Sequence, residues 1–586
     1  MQPESRRKRG RAWGGIPAAL VLVLITSVTS AEIRSDRNGP ADLVPSSAIM
    51  YMQTSRLSSA APAAVFFIGN FLPAENAKKI EAWRADFKTK AGVDVLDVAS
   101  LTKAEIDVSR PAAMAYLDAE KESERIMILV PVNNEKTFPQ RFVEVLKKAN
   151  KDRPAIDLHP AVSRHNNHAV YRMMKDVYFT GIKGYLVVAS SMDIITSVID
   201  MGATPLSAEP LFADYAARKR AGNDLDIFFK KSFLQQIGEE RLKKKEDDSG
   251  DSPEGDGDGT PEDDSGEIGG PSTSDKKAQK RVPGAKDALS MVSSPTGFFD
   301  YVAVAFARTK EGVSLDFSAS LTGGNQSTAL LSGLFRPGLP AFLLAASDPL
   351  AYHYVSFDFR ALDAFCEKNA SSPEYGPTCE QYKKFKKDAG SSLGIDMDAD
   401  FLPWFGGYFN VIMRKAKIAG TLDNFVMYVP MTDRGKVSAL TKKLRSAVKA
   451  KNTDEGAFGD ERIDAIPSFW FKDKRGNRIS VLADERGVFV ANNTEFLRAV
   501  LEGEGKQAAT VSGLFGNPDP GTFLLSFLKM EKESYMKALL MFLTYNAGPH
   551  VAGLVNRLDT VSLSGGRVGN YYSFIVTLKL LEAAGR

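Results

Sequence analysis

The sequence predicts an α+β protein made of two tandem repeats, each an antiparallel sheet with packed helices, together with a disordered acidic insert. Three observations support this prediction. Segments of the first half recur in the second half at a nearly constant spacing. The long strands expected at 301–321 and 559–580 alternate with period two, and residues 246–267 contain eleven acids and no base. Such alternation is typical of a strand with one covered face, and repeats set domain boundaries.

Composition excludes several classes of protein. The chain has 586 residues, of which 44% are hydrophobic and 25% are charged, as in ordinary globular proteins. This length predicts several domains, and the composition excludes a collagen-like, wholly disordered or polytopic membrane chain. The 75 Lys and Arg residues against 72 Asp and Glu give a net charge of +3. An overall basic field of the kind that binds nucleic acid is therefore excluded.

Residues 1–31 have the pattern of a secretory signal peptide. Five basic side chains lie between Arg6 and Arg11, an apolar run extends from Ile16 to Ile25, and small residues follow up to Ala31. The apolar run is far shorter than the roughly 20 residues that span a bilayer. We therefore expect cleavage after Ser30 or Ala31 and a secreted or periplasmic protein. The alternative is an uncleaved signal that anchors the chain to a membrane.

Matched segments define the two repeats. Residues 184–199 align with 486–501, and Gly92–Asp94 aligns with Gly394–Asp396, both at an offset of 302. Further matched pairs are Tyr51 with Tyr354, Pro131 with Pro430, and Ser232 with Ser526. The offset falls near the end of each repeat, which requires an insertion in the first copy. We predict a first α+β repeat at 41–322 and a second at 339–582, packed side by side as lobes that each hold a core.

Each repeat is expected to contain the same elements in the same order. A turn and an alternating strand come first, followed by a basic helical stretch, further strands and an amphipathic helix. More strands, another helix and a closing hairpin complete the repeat. The small polar pairs Ser190-Ser191 and Asn492-Asn493 follow a strand and precede a helix. Serine and asparagine are favoured at the N-cap of a helix, so these pairs predict helix starts.

The acidic insert is predicted over residues 243–286. Its acids lie among Gly, Ser and Pro, a composition that cannot bury a core and stays solvated. The alternative is weak, exchangeable Ca²⁺ binding, because Asp256–Asp264 resembles acidic calcium loops. An EF-hand register fails, since Ser265 falls where the bidentate Glu is required.

The two cysteines agree with export. Cys366 and Cys379 are separated by a polar, turn-forming spacer. In an oxidising compartment they would form a disulfide that closes a small loop and stabilises it by about 3 kcal/mol. Two free thiols are the alternative.

Catalytic and metal motifs are weak. The segment Gly390–Gly394 satisfies G-x-S-x-G, but a basic helix is expected before its serine, where a nucleophile elbow needs a strand. The cluster His159, His165 and His168 matches no standard metal-ligand spacing. We therefore predict no catalytic, cofactor-binding or metal-binding residue. A pocket holding His353 or His550 beside a serine and a carboxylate would favour a hydrolase.

Two apolar stretches suggest a contact surface. Residues 58–76 place Phe66, Phe67 and Phe71 close together, and residues 538–545, which include Leu540 and Phe542, are apolar on all sides. A helix that is apolar all round is buried or faces a partner. The alternative for both stretches is burial between the two lobes.

Three phrases carry a resemblance to a family of exported bacterial proteins of unknown function. They are residues 43–57, with Leu43-Val44-Pro45 ahead of Tyr51, residues 398–413, with Pro403–Gly407, and residues 486–503, where a glycine and a strand precede a polar turn and a helix. The resemblance would cover most of 41–582, and the first copy departs from it because it lacks the Trp-Phe-Gly-Gly segment. It implies an exported, repeated α+β protein and no catalytic residue.

The sequence therefore suggests a non-enzymatic secreted or periplasmic protein that serves as a binding or structural module of the cell envelope. Its partner would be an envelope protein or an apolar ligand, with no nucleic acid and no spanning segment once the signal is removed. A carrier of a lipid or other apolar ligand is the alternative, and an unrecognised hydrolase is a third possibility.

Overall fold

The computed structural model describes residues 39–581 with gaps. The longer gaps are 237–298 and 532–554, and the shorter ones are 73, 118–124, 150–160, 174–176, 201–203, 325, 374, 417–422, 455, 504–506 and 517. The predicted signal peptide at 1–31 and the predicted acidic insert at 243–286 lie outside the described residues.

The first half of the chain alternates groups of strands with helices. Its elements are β1 (Ala48–Arg56), α1 (Leu57–Phe71), α2 (Ala74–Ala91), α3 (Val98–Lys103), β2 (Pro111–Leu117), β3 (Arg125–Pro131), α4 (Phe138–Ala149), β4 (Ala161–His165), β5 (His168–Met173), β6 (Val177–Ile182), β7 (Tyr185–Ala189), α5 (Met192–Asp200), α6 (Pro210–Arg218), β8 (Leu225–Lys230), β9 (Phe299–Arg308) and β10 (Gly312–Leu321).

The second half has the same order of elements after the connecting helix α7 (Gln326–Leu334). They are β11 (Ala351–Ser356), α8 (Phe359–Asn369), α9 (Gly376–Leu393), a π-helical turn (Met397–Phe401), β12 (Tyr408–Arg414), β13 (Asn424–Pro430), α10 (Arg434–Lys451), β14 (Phe458–Ile463), β15 (Ile466–Lys472), β16 (Arg478–Ala483), β17 (Gly487–Ala491), α11 (Thr494–Glu502), α12 (Gln507–Phe515), β18 (Thr522–Lys529), β19 (Leu558–Val568) and β20 (Tyr571–Leu580).

All twenty strands pair into one sheet. The first half has the order β4-β5-β6-β7-β3-β2-β1-β8-β9-β10. The second has the matching order β14-β15-β16-β17-β13-β12-β11-β18-β19-β20. Every one of these pairings is antiparallel. The protein is therefore α+β, as its sequence predicts.

The two halves meet at strands β10 and β20. These strands pair antiparallel from Gly312 opposite Lys579 to Ser320 opposite Tyr571, with Asp316 opposite Ile575 near the middle. The matching strand orders run outward from this joint in both directions, so the sheet has an approximate twofold axis there. The sequence suggests two lobes placed side by side. In the structure the last strand of each half, β10 or β20, pairs with the last strand of the other half, so the two halves share one continuous sheet.

One matched pair of the sequence comparison is wrong in register. Ser526 lies within β18 and is opposite His353 of β11, whereas the residue opposite Met50 in the equivalent strands β8 and β1 is Phe229. Met50 and His353 directly precede the matched tyrosines Tyr51 and Tyr354, so they are equivalent positions. The residues opposite them, Phe229 and Ser526, are therefore equivalent as well. Ser232 lies in the helical residues that follow β8. The local pattern Ser-Phe-Leu misled the alignment because it occurs in both a strand and a helix.

Local sequence explains the entry into α11. Asn493 accepts a hydrogen bond from the backbone N–H of Phe496 at 2.8 Å, which confirms it as the N-cap of this helix. The preceding Asn492 instead accepts from the backbone N–H of Phe425 at the start of β13. Ser190 does the same for Ile126 at the start of β3. In both halves, the first residue of the small polar pair therefore bonds the start of the helix to the neighbouring strand.

Apolar side chains are buried on both faces of the sheet. We call one the tyrosine face, because Tyr51, Tyr185 and Tyr301 in the first half and Tyr354 and Tyr428 in the second lie in its clusters. Helices α5, α6, α11 and α12 contribute to those clusters. The opposite face carries clusters that include residues of α1 and α4 in the first half and of α10 in the second. Burial of this apolar area is the main force that stabilises the two halves.

Candidate functional site

A patch of half-exposed apolar side chains lies on the opposite face around the β10–β20 joint. We call it the central face. Strand register places on one side Val304 of β9, Leu315 and Phe317 of β10, Val576 of β20, and Leu563 of β19. Phe317 is 41% exposed, and the other four are half-buried. Contiguous exposed apolar surface of this kind is typical of an interaction site.

A polar pair adjoins the central face. The Nδ1 of His353 in β11 lies 2.8 Å from the hydroxyl oxygen of Ser526 in β18, and Ser526 is opposite Leu563. Burial lowers the pKa of His353, so its imidazole is neutral at neutral pH. Within the described ranges no carboxylate forms a hydrogen bond or an ion pair with His353. The pair can donate and accept hydrogen bonds, but it lacks the acid that orients a catalytic histidine.

Helix α1 borders the central face on the side of the first half. Its Phe67 meets Phe306 of β9 edge to face, with ring centroids 5.4 Å apart, and stacks on Phe71 at 5.6 Å. The guanidinium of Arg308 lies 5.7 Å from the centroid of the Phe66 ring. The three phenylalanines of the predicted contact surface are therefore half-buried against the sheet. Leu540 and Phe542, the other residues of that prediction, lie outside the described residues.

The end of α1 also contacts the second half. Arg557, which directly precedes β19, donates a hydrogen bond to the backbone carbonyl of Asn70 at 3.0 Å. Helix α1 of the first half thus also contacts the second half, next to the β10–β20 joint. In the second half the equivalent helix α8 directs Phe359 toward Phe405 and Phe409. Val411 and Met427, on the same face as His353, remain half-exposed.

The disulfide predicted between Cys366 and Cys379 is present. It joins α8 to α9, and the two Cα atoms are 5.2 Å apart. Both cysteines are buried beside Tyr382, and Phe365 of α8 packs on this cluster. The equivalent helix pair of the first half, α1 and α2, packs through apolar residues that include Ala64, Ile68 and Trp83.

The weaker sequence motifs have structural roles where they are described. Gly390–Gly394 is the last turn of α9 and its left-handed cap, so a helix precedes the serines. His165 contacts Asp200 at 2.6 Å and lies opposite His168 in a hairpin whose turn is Asn166-Asn167. No group of three His, Cys, Asp or Glu side chains able to hold a metal ion occurs in the described part of the chain. His159 and His550 lie outside it.

A cleft lies between α9 and α10 in the second half. Lysines from both helices line it, together with Asp396, Asp398 and Asp400 of the π-helical turn and its flank. A basic helix at α9 is predicted from the sequence, whereas α10 was not predicted to be part of a site. The signal was present, because α10 contains seven basic residues and no acid.

Comparisons with known proteins identify neither a family nor a function for this chain. No helix among the described residues is both long and apolar enough to cross a membrane. No family model matches the sequence, and no curated protein matches it. A solved structure described as crystal form I of TP0453 is similar over 49% of this chain and 79% of its own, at 8% identity and a TM-score of 0.23. A likeness at that level carries no functional argument.

Proposed function

We propose that the protein is a non-enzymatic, exported binding module of the cell envelope that holds an apolar or amphiphilic molecule on its central face. The observation that carries this proposal is the row of half-exposed apolar side chains across the joint, with Phe317 at 41% exposure. The Cys366–Cys379 bridge supports export, because disulfides persist in oxidising compartments. The row favours the carrier alternative among the functions that the sequence suggests.

The chemistry of the central face suits a ligand with one polar end. An alkyl chain laid along Leu315, Val576 and Leu563 would remove apolar surface from water on both partners, at about 25 cal/mol for each Å² buried. Ser526 lies one strand beyond Leu563, and the neutral His353 lies one strand beyond Ser526. Both side chains can form hydrogen bonds with an uncharged ester, amide or hydroxyl group. Apolar walls with few polar groups are typical of small-molecule sites.

Native mass spectrometry of the mature protein tests this proposal. We expect an added mass that disappears on denaturation, and a denatured mass that lacks residues 1–31 and two protons for the disulfide. Titration with cis-parinaric acid, a fluorescent C18 fatty acid, then measures affinity. F317D should weaken binding at least tenfold, because it places a charge in the apolar row. The matched control F385D alters a phenylalanine that is 54% exposed on α9, and it should change affinity less than twofold.

Absence of both a co-purified ligand and parinarate binding would contradict the proposal, as would an equal loss in F317D and F385D. The hydrolase alternative has its own test, which the contact between His353 and Ser526 motivates. We expect no ester hydrolysis above the rate of the uncatalysed reaction. Hydrolysis of a p-nitrophenyl ester that is lost in both H353A and S526A would overturn the non-enzymatic assignment.

A further inference from the structure

The cleft between α9 and α10 is a separate feature of the second half. It has a volume of about 1220 Å³, and the π-helical turn lies along it. At Gly394 the backbone turns with φ +68°, and a Cβ there would lie 2.2 Å from the Cβ of Ala447 in α10. The two helices therefore approach closely at this point, and the glycine permits the approach.

The cleft carries an excess of positive charge. Lys386 lies 2.6 Å from both Asp363 and Asp398, and Lys443 lies 2.6 Å from Asp400. The lining residues Lys383, Lys387 and Lys442 are exposed, and none of them lies within ion-pair distance of a carboxylate in the described ranges.

The remaining acid of the lining, Asp396, is committed to backbone groups. Its carboxylate accepts hydrogen bonds from the N–H groups of Asp398 and Ala399 at 2.9 and 3.1 Å. The lining therefore carries five lysines against three aspartates, a net charge of +2, and an anion would be attracted there.

The first half has a smaller and better balanced cleft at the equivalent place. It has a volume of about 490 Å³ and lies beside Gly92, between the segment after α2 and helix α4. Its cations Lys103, Arg141 and Lys148 face the acids Glu105 and Glu144, and Arg141 forms an ion pair with Glu105. The cleft of the second half is therefore larger, and its lining has a net charge of +2 against +1 in the first half.

The walls of the second cleft are held in place before any ligand arrives. The disulfide ties α9 to α8, and the bond from Lys386 to Asp363 joins the same two helices. The bond from Lys443 to Asp400 fastens α10 to the π-helical turn. A site whose groups are already ordered loses less entropy when it binds.

We propose that the cleft between α9 and α10 binds a phosphate-bearing ligand, a phosphate monoester or diester, through Lys383, Lys387 and Lys442. Lysine is a common phosphate ligand because its ammonium is a compact charge with three donors. The hydroxyl of Ser391 lines the same space and adds a donor for phosphate oxygens. The volume exceeds that of a single ion, so the phosphate would belong to a larger molecule. That molecule is either soluble or a lipid whose head group enters the cleft.

The experiment compares two double variants of the full mature chain. K387Q/K442Q removes two lining charges. K384Q/K449Q removes two charges from the same helices at residues that do not line the cleft. Isothermal titration calorimetry with inorganic pyrophosphate measures binding of a soluble phosphate ligand. Flotation with phosphatidylcholine vesicles, with and without phosphatidylglycerol, measures the lipid arm.

We expect binding in at least one arm, weakened tenfold or more in K387Q/K442Q and less than threefold in K384Q/K449Q. Binding should also weaken as salt rises, because the lysines are exposed to solvent. Pyrophosphate binding without flotation would identify a soluble ligand, and flotation alone would identify a head group. Absence of binding in both arms, or an equal loss in the two variants, would overturn the proposal. Loss of parinarate binding by F317D with vesicle binding intact would separate this cleft from the central face.

Discussion

The turn at Gly92–Asp94 and its counterpart at Gly394–Asp396 share a backbone conformation and differ in how their charged side chains are paired. The glycines have φ +73° and +68°. In the first turn Asp94 is buried, and Arg84 of α2 donates to both its oxygens at 2.7 and 3.1 Å. In the second turn Asp396 is exposed, and Lys386, at the position of Arg84, binds Asp363 and Asp398 instead.

This difference shows how the two halves divide their roles. The first copy uses its charges in a closed ion pair that fastens the turn. The second copy has a disulfide at the start of α9, and beside its turn it leaves Lys383, Lys387 and Lys442 without an ion pair in the described ranges. We therefore look for function where the two copies pair their charges differently on a shared backbone conformation.

The largest expected effect comes from the disulfide. The positions equivalent to Cys366 and Cys379, by the offset that matches the two turns, are Ala64 and Ala77 in the first half. C366A/C379A should lower the free energy of unfolding by about 3 kcal/mol, because it releases a loop whose ends are 13 residues apart. Urea unfolding followed by circular dichroism measures the change.

A reducing agent provides the control for this prediction. It should destabilise the wild-type protein by a similar amount and leave C366A/C379A unchanged. Equal stability of the variant and the oxidised wild-type protein would show that the bridge adds nothing to the other contacts between α8 and α9.

A smaller effect is expected from the two cations at the equivalent turns. R84M leaves the carboxylate of Asp94 buried at 6% side-chain exposure, with only the exposed Lys88 nearby, and should cost about 2 kcal/mol. K386M leaves Asp363 and Asp398 at 27% and 65% exposure, where water can solvate them, and should cost less than about 1 kcal/mol. Chemical denaturation of both variants measures the loss in the free energy of unfolding for each, and the two losses can then be compared. A larger loss of stability in K386M than in R84M would contradict the inference that the first turn, and not the second, depends on its ion pair for stability.

The smallest effect concerns the joint between the halves. Burial raises the pKa of Asp316, so its ionised form is disfavoured in the folded state. The stability lost to this carboxylate is absent below the ordinary Asp pKa of about 3.9 and grows as pH rises through the folded value. D316N should therefore stabilise the protein by roughly 1 kcal/mol at pH 7. The gain should vanish near pH 3.5, and a gain that does not depend on pH would contradict this account.

Much of the fold follows from local patterns in the sequence. The alternation in residues 301–321 and 559–580 predicted the hairpins β9–β10 and β19–β20, and the spacer of the two cysteines predicted their bridge. Asn493 predicted the start of α11. Each of these signals depends on residues close in sequence, which is why they could be read without a structure.

The joint and the central face could not be predicted in the same way. Pairing of β10 with β20 joins residues 259 positions apart, such as Asp316 and Ile575, and no local pattern specifies the partner of an edge strand. The central face was missed because period two was taken to mean one covered face. In β9 both sets of alternate residues are apolar, with Tyr301, Ala303 and Ala305 on one face and Val302, Val304 and Phe306 on the other.

The approximate twofold axis also determines how the halves avoid pairing with copies of themselves. If β10 were not paired with β20, it would be an edge strand and could pair with β10 of a second molecule about an equivalent axis, which would link two molecules instead of two halves. Asp316 would then lie directly opposite the Asp316 of the second molecule, and like charges in that position repel. In the intact chain Ile575 occupies the opposite position, and no such repulsion arises. The carboxylate that weakens the fold at neutral pH thus directs β10 to the end of its own chain and opposes self-association.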